Sequence, residues 1–392
     1  MEVSVMKSLI HLFLVSLKLG LTSFGGPVAH LGYFHTEYVK RLKWMSEKEY
    51  IELVSLSQFL PGPASSQVGI GIGVRRAGIL GGITSFLGFT MPSVIILIAF
   101  QPLLTGTSQL DGLITGLKLV AVAIVLHAII SMAKNFTTEW QTIMIAALSV
   151  ILTLTIHTAF IQIAVILLGA LLGFILLKPK EEAKQTKVTH YVTKKTGIIS
   201  LTLFGALFVL TPILARLSEN IYVQMMDAFY RAGSLVFGGG HVVLPLLEAE
   251  LVPTYLDEAT FLAGYGATQA VPGPLFTFAS FIGAEIAGIP GGLFATFAIF
   301  LPAFLLIIGM LPFWQEVMKN EKLGTAVAGI NAAVVGILVS TWLTPIVTTS
   351  VVGWIEAAIA VVLFIMIAVL KLPPWTVVVV GALFGVVVEA VF

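Results

Sequence analysis

The sequence predicts an all-α polytopic membrane protein made of two inverted-topology repeats, each carrying a broken (re-entrant or discontinuous) helix pair at a Pro-Gly-Pro segment. Three observations lead there. Of the 392 residues, 58% are hydrophobic and only 10% are charged, whereas a soluble domain carries about 25% charge. Apolar runs close to the roughly 20 residues that cross a bilayer recur along the chain. One ordered set of motifs occurs twice, with lysine and arginine placed at opposite loops of the two copies.

The apolar runs place spans at 7–24, 78–101, 111–133, 141–157 and 159–177, and again at 197–215, 222–238, 289–313, 323–343, 350–370 and 374–391. The first lacks a small-residue cleavage site and reads as a retained span. An amphipathic stretch at 33–57 precedes a broken segment at 58–76, and the same order recurs at 241–258 and 260–287. The stretch 178–195 is lysine-rich and too polar to pack, so it reads as a solvated linker. The expected organisation is an N-terminal repeat at 1–177, a linker and connecting helix at 178–215, and a C-terminal repeat at 216–392.

The duplication rests on matches in register. Phe24-Gly25-Gly26 corresponds to Phe237-Gly238-Gly239, and Gln58 with Pro61-Gly62-Pro63 to Gln269 with Pro272-Gly273-Pro274. A-G-I-L-G-G at 77–82 corresponds to A-G-I-P-G-G at 287–292, Pro92 to Pro302, and G-L-K at 116–118 to G-I-N at 329–331, with the offset always between 210 and 213. Charges at matching loops are opposed. Lys40, Arg41, Lys43 and Lys48 stand where the second copy has Glu248, Glu250, Asp257 and Glu258, and Lys319 and Lys322 answer a loop near 101–111 that has no lysine or arginine. Lys134 answers an uncharged 344–350, Lys371 answers an uncharged 157–158, and the lysine-rich 178–195 answers an end with only Glu389. Basic loops favour the cytoplasm, so this pattern sets the halves upside down to each other. That orientation requires either that 197–215 does not cross fully or that a broken segment counts as one crossing.

Proline and glycine interrupt a helix and expose backbone N–H and C=O groups, which survive in a bilayer only when buried in protein or lining a wet cavity. A helix that starts after such a break turns its free amides and the positive end of its dipole toward the gap. Two breaks from inverted halves would bring two such ends together as a mid-membrane anion site. The candidate substrate-binding residues are Gln58, Gly62, Ser65, Ser66, Gln67, Lys118, Gln269, Gly273, Thr277 and Asn331, with Ser280 as a further first-turn hydroxyl. Lys118 lies within an apolar run, where a charge needs a partner or a cavity, and is the candidate fixed cation facing the anion. Asn331 is its neutral counterpart. Helix packing alone would account for a kink, although a kink needs only one proline.

The candidate pathway or coupling residues are Gly25, Gly26, His30, Arg75, Gly238, Gly239, His241 and Glu285. The glycines suit either a path or close helix packing. Histidine titrates near neutrality, so His30 and His241 are candidates for carrying a proton, the plainer reading being ordinary polar contacts. Lys18 suits snorkelling to an interface, Arg75 and Arg76 suit topology anchoring, and Asp227 and Arg231 are spaced to pair on one helix face. The absence of cysteine excludes disulfides and thiolate chemistry. G-I-G-I-G-V at 69–74 lacks a Walker lysine, so no nucleotide, metal or other cofactor is expected. A net charge of +1 without a basic, aromatic-interleaved patch gives no sign of nucleic-acid binding.

F-G-G-P-x-A-H-x-G at 24–32, L-x-Q-F-L-P-G-P-x-x-x-Q at 56–67, and the second-half F-G-G-G-H and Q-x-V-P-G-P together resemble the chromate ion transporter family in its long form with two fused halves. The resemblance covers nearly the whole chain. It implies a multi-pass protein of the bacterial inner (plasma) membrane that exports chromate and confers resistance, with sulfate as a related oxyanion and the proton-motive force as the driver. Gly240 replaces Pro27 in the second copy, so the halves are not strictly equivalent. The expected partners are the oxyanion, protons as coupling ion, the lipid bilayer and a second copy of the chain in a homodimer. Alternatives are a membrane-embedded flippase or enzyme acting on a phosphate-bearing lipid carrier, and a passive channel. Seven histidines without H-E-x-x-H spacing argue against an enzyme.

Overall fold

A computed structural model describes residues 2–24, 26–105, 111–156, 161–178, 192–237, 240–317 and 321–391. In order the helices are α1 (Glu2–Thr22), α2 (Gly26–Phe34), α3 (Glu47–Phe59), α4 (Ala64–Thr105), α5 (Asp111–Phe136), α6 (Trp140–Thr155), α7 (Ile161–Leu176), α8 (Lys194–Leu217) and α9 (Ile221–Leu235). They continue as α10 (Val243–Leu251), α11 (Glu258–Thr268), α12 (Phe278–Met310), α13 (Trp314–Val317), α14 (Glu321–Thr341), α15 (Thr348–Ser350), α16 (Trp354–Ala368) and α17 (Pro374–Val391). Among the described residues there is no strand. Most of the expected linker, 179–191, lies outside the described residues.

Five stretches are long and apolar enough to cross a membrane: Ala64–Pro102, Gly112–Phe136, Lys194–Leu217, Leu275–Met310 and Lys322–Ser350. The runs predicted at 141–157, 159–177 and 350–370 form shorter apolar helices, α6, α7 and α16. At 16 residues, α6 and α7 are each about 24 Å long, short of a hydrocarbon core of about 30 Å. The predicted 197–215 is a continuous helix, α8, with most of its apolar surface turned outward.

The chain divides into two compact units, each drawing segments from both sequence halves. The first is Met1–Ile96, Lys180–Gly240 and Pro272–Glu321, and the second is Leu97–Pro179, His241–Val271 and Lys322–Phe392. In the first unit α12 packs on α8 and α9. Close approach there depends on glycine, as expected where lipid supplies no hydrophobic drive between helices. A side chain on Gly20 would meet the Phe89 carbonyl at 2.5 Å, and one on Gly233, the repeat counterpart of Gly20, would strike the carbonyl of Ile299, the counterpart of Phe89. In the second unit α5 is central, packed by α11, α16 and α17. Gly112 and Gly116 face Gly385 and Gly381, while Gly169 and Gly173 on α7 face Gly329 on α14.

Both long helices in the first unit turn at the duplicated A-G-I-x-G-G motif. Ala77 has φ −148°, ψ 30° and Gly78 has φ 65°, ψ −161°, while Ala287 has φ −144°, ψ 28° and Gly288 has φ 64°, ψ −163°. Positive φ at Gly78 and Gly288 is the reason for glycine there. Gly73 then lies against the Gly81 carbonyl, and Gly283 against that of Gly291, so the two sides of each turn fold back on each other.

Filling this contact should be costly. Gly73→Leu or Gly283→Leu is expected to destabilise the protein by about 1–3 kcal/mol through overpacking, read as a lowered thermal midpoint in detergent. Gly205→Leu, at a position with open space around it, should leave the midpoint nearly unchanged. Equal tolerance at all three sites would refute the packing role.

Candidate functional site

The first Pro-Gly-Pro segment ends α3 and starts α4. Leu60 precedes proline and adopts ψ 148° while its amide still donates to the Leu56 carbonyl. Gly62 has φ 111°, and α4 resumes once Pro63 is passed, with the Gln67 amide donating to the Pro63 carbonyl at 3.0 Å. The second segment follows α11. Gly273 has φ 104°, and a 3₁₀ turn at Leu275–Thr277 leads into α12.

The two glycine amides are satisfied reciprocally. Gly62 N–H donates to the Val236 carbonyl at 2.7 Å, and Gly273 N–H donates to the Ser23 carbonyl at 2.9 Å. Ser23 and Val236 each immediately precede Phe-Gly-Gly in their own repeat. Each break is thus tied to the end of the other repeat's helix, within the first unit.

Around the start of α4, polar groups are buried and underused. Ser65, Ser66 and Gln67 occupy the first turn and are 1%, 2% and 0% exposed. His30 Nδ1 lies 3.3 Å from Ser65 Oγ, and its ring meets Phe89 edge-on at 5.4 Å. Gln67 Nε2 donates to the Pro61 carbonyl at 2.7 Å and so braces the break. Among the described residues Ser23 Oγ, His30 Nε2, Ser66 Oγ, Gln67 Oε1 and Thr90 Oγ1 have no hydrogen-bond partner, while the His30 ring also meets the Ser23 carbonyl. Buried polar atoms are normally paired, because each unpaired one costs about 1–3 kcal/mol. His30 and Ser65 are joined through Nδ1 and Oγ, so hydroxyl and imidazole groups join the free amides of the first helical turn. The set suits a dehydrated anion.

Two further buried, unpaired hydroxyls, Ser23 and Thr90, were not among the expected residues; their local signals are adjacency to Phe-Gly-Gly and a place two residues before Pro92. Gln58, one of the expected substrate-binding residues, is exposed at the end of α3, next to buried Ser57, whose hydroxyl is unpaired among the described residues. Thr277 is buried, and its hydroxyl donates to the Pro274 carbonyl at 2.7 Å.

Of the other expected residues, Lys118, Gln269 and Asn331 belong to the second unit. There Lys118 Nζ donates to the Thr349 carbonyl at 2.7 Å, and Thr349 Oγ1 donates to Glu258 at 2.9 Å. Gln269 Nε2 and Asn331 Oδ1 are buried and unpaired. His241, also in the second unit, bonds through Nδ1 to Tyr265 Oη at 2.6 Å.

Arg75 pairs with Glu49 at 2.5 Å. Burial pushes the Glu49 carboxyl up, but Arg75 and Ser46 together hold it below its ordinary value. Glu285, the counterpart of Arg75, is half-buried at the same place in its helix. Gly26 has φ 78° at the start of α2, whereas Gly25, Gly238 and Gly239 lie outside the described residues. Lys18 remains mostly exposed, 3.4 Å from Glu37, and Arg231 and Asp227 pair at 2.5 Å.

Comparison with known proteins follows the same two halves. The chromate transporter family matches residues 10–174 and 223–386. A probable chromate transport protein of Synechococcus elongatus is 29% identical over 82% of this chain and 80% of its own length. An uncharacterized transporter of Methanocaldococcus jannaschii is 25% identical over 85% and 83%, and a chromate transport protein of Pseudomonas aeruginosa is 26% identical over 84% and 79%. No solved structure matches. A family match that takes in both halves, with the duplicated Phe-Gly-Gly and Pro-Gly-Pro motifs inside it, means that the chain belongs to the chromate transporter family.

Proposed function

We propose that this chain is a secondary active transporter that exports chromate, with sulfate as a second tetrahedral dianion, across the inner (plasma) membrane of a bacterium. It works by alternating access and is driven by the proton-motive force. The observation that carries the reading is the group of buried, unpaired hydrogen-bonding atoms at the amide end of α4: Ser66 in its first turn, His30 against Ser65, and Ser23 against His30. A tetrahedral dianion accepts hydrogen bonds on every face. Neutral donors held in a dry pocket match it without burying a fixed cation, which is expensive in the bilayer. The names of the relatives supply the substrate class: two of them are called chromate transport proteins, one of these with the word probable.

In this proposal each Pro-Gly-Pro segment is a helix break within the membrane, and each turn at Ala77-Gly78 or Ala287-Gly288 makes the following stretch re-entrant. The two repeats run in opposite directions, as the opposed lysine and arginine bias of their loops requires. Reciprocal donation from Gly62 and Gly273 supports a pseudo-twofold relation between them. Lys118, a cation inside an apolar helix, retains a role in transport.

Inside-out vesicles containing the protein are expected to accumulate labelled chromate, and labelled sulfate more weakly, when a proton gradient is imposed, and to lose the accumulation when a protonophore collapses it. Failure to move either anion would overturn the assignment. Ser66→Ala is expected to slow chromate uptake roughly tenfold or more, the worth of one hydrogen bond to a charged group, at unchanged protein level in the membrane. Lys118→Ala should abolish uptake, and normal uptake by either variant would remove that residue from the transport machinery.

A further inference from the structure

The two breaks are alike in backbone and unlike in chemistry. After Pro63 the chain reads Ala64-Ser65-Ser66-Gln67, and after Pro274 it reads Leu275-Phe276-Thr277-Phe278. Leu275, Phe276 and Phe278 are 8%, 1% and 0% exposed, so the second first turn is filled by apolar side chains. Phe276 packs on Phe300 with ring centroids 5.8 Å apart, and Phe300 stands at the repeat position of Thr90. Val236 stands at that of Ser23, and Ala303 at that of Ser93. Thr277 alone keeps a hydroxyl, at the position of Ser66, and spends it on Pro274. Ser280 likewise donates to the Thr277 carbonyl at 2.7 Å.

The amides differ in the same direction. In the second copy Thr277 N–H donates to Pro274, and Phe278 N–H is taken by the Leu275 and Phe276 carbonyls of the 3₁₀ turn. In the first copy α4 begins directly as an α-helix, so the amides of Ala64, Ser65 and Ser66 have no intrahelical acceptor. Ser66 Oγ in this turn and His30 Nε2, on the ring that meets Ser65, are unpaired and at most 2% exposed; at the second break the first-turn hydroxyl of Thr277 is paired, and the unpaired atom is Gln269 Nε2, three residues ahead of Pro272.

We infer that the chain holds a single oxyanion site, built by the first repeat at the start of α4, and that the second Pro-Gly-Pro segment is an apolar brace. The brace keeps the backbone geometry that Ser23 and Gly273 need, because Gly273 N–H anchors the carbonyl of Ser23, whose hydroxyl belongs to the site. Its phenylalanines keep water and anions from the second helix end. The site takes one dehydrated tetrahedral dianion per chain. This inference rests on the anion-transport reading above and adds its stoichiometry and location.

The test is equilibrium binding of radiolabelled sulfate, and separately of chromate, to the purified full-length chain in lipid nanodiscs. One equivalent per chain is expected at saturation. Ser66→Ala should weaken binding roughly tenfold, Ser66→Thr should restore most of it, and Thr277→Val should change it less than twofold. Two equivalents per chain, or equal weakening by Thr277→Val and Ser66→Ala, would overturn the single-site inference while leaving anion transport standing. If the wild-type chain binds neither anion, the transport reading falls and the site with it. The wild-type stoichiometry decides the question even where a variant fails to fold.

Discussion

A backbone amide without an acceptor costs several kcal/mol in hydrocarbon, and each Pro-Gly-Pro segment creates that problem at its central glycine. The answer here is exchange between repeats: Gly62 donates to the carbonyl at the end of α9's repeat segment, Val236, and Gly273 donates to Ser23 after α1. Neither half of the chain contains the acceptor for its own break. The folded first unit therefore needs segments from both halves, which is how it is composed. The same exchange positions Ser23 and leads into the first turn of α4, where the candidate site lies.

Close helix contact is the second constraint, and it is met by residue size. Gly20 and Gly233 let α1 and α9 press onto the backbones of α4 and α12, and Gly73 and Gly283 allow the tight turns at Ala77-Gly78 and Ala287-Gly288. These positions are conserved between the repeats because backbone against backbone leaves no room for a Cβ. The first-turn side chains meet no such demand from the scaffold. There the copies have separated into serine and glutamine on one side and leucine and phenylalanine on the other, the difference on which the single-site proposal rests.

Several charged residues near the helices are held by one another. Arg75 is held by Glu49, Arg231 by Asp227, and Arg41 by Glu37. Lys118 is engaged by the Thr349 carbonyl, with Glu258 joined to the same threonine. In the proposed site, hydroxyls, an imidazole and helix amides would bind a dianion without a permanent cation that holds it too firmly to release.

Membrane residence, the duplication and the positions of the helices were legible in the sequence, because apolar run length and Pro/Gly placement act locally on the backbone. Gly62 and Gly273 were legible as special positions, and Ser65, Ser66 and Gln67 as first-turn residues, since helix geometry alone places them there. The acceptors of the two glycine amides were not legible. Ser23 lies 250 residues from Gly273 in the chain, and a hydrogen bond over that distance is settled only by packing. For the same reason the bond of Gln67 Nε2 to the Pro61 carbonyl and the exposure of Gln58 were not legible. Sequence by itself determined that the chain is an α-helical membrane protein of two related halves, because those properties follow from side-chain polarity and from the duplicated motifs. Tertiary structure alone decided which polar atoms are left without partners, because pairing depends on which distant groups the fold brings within about 3 Å.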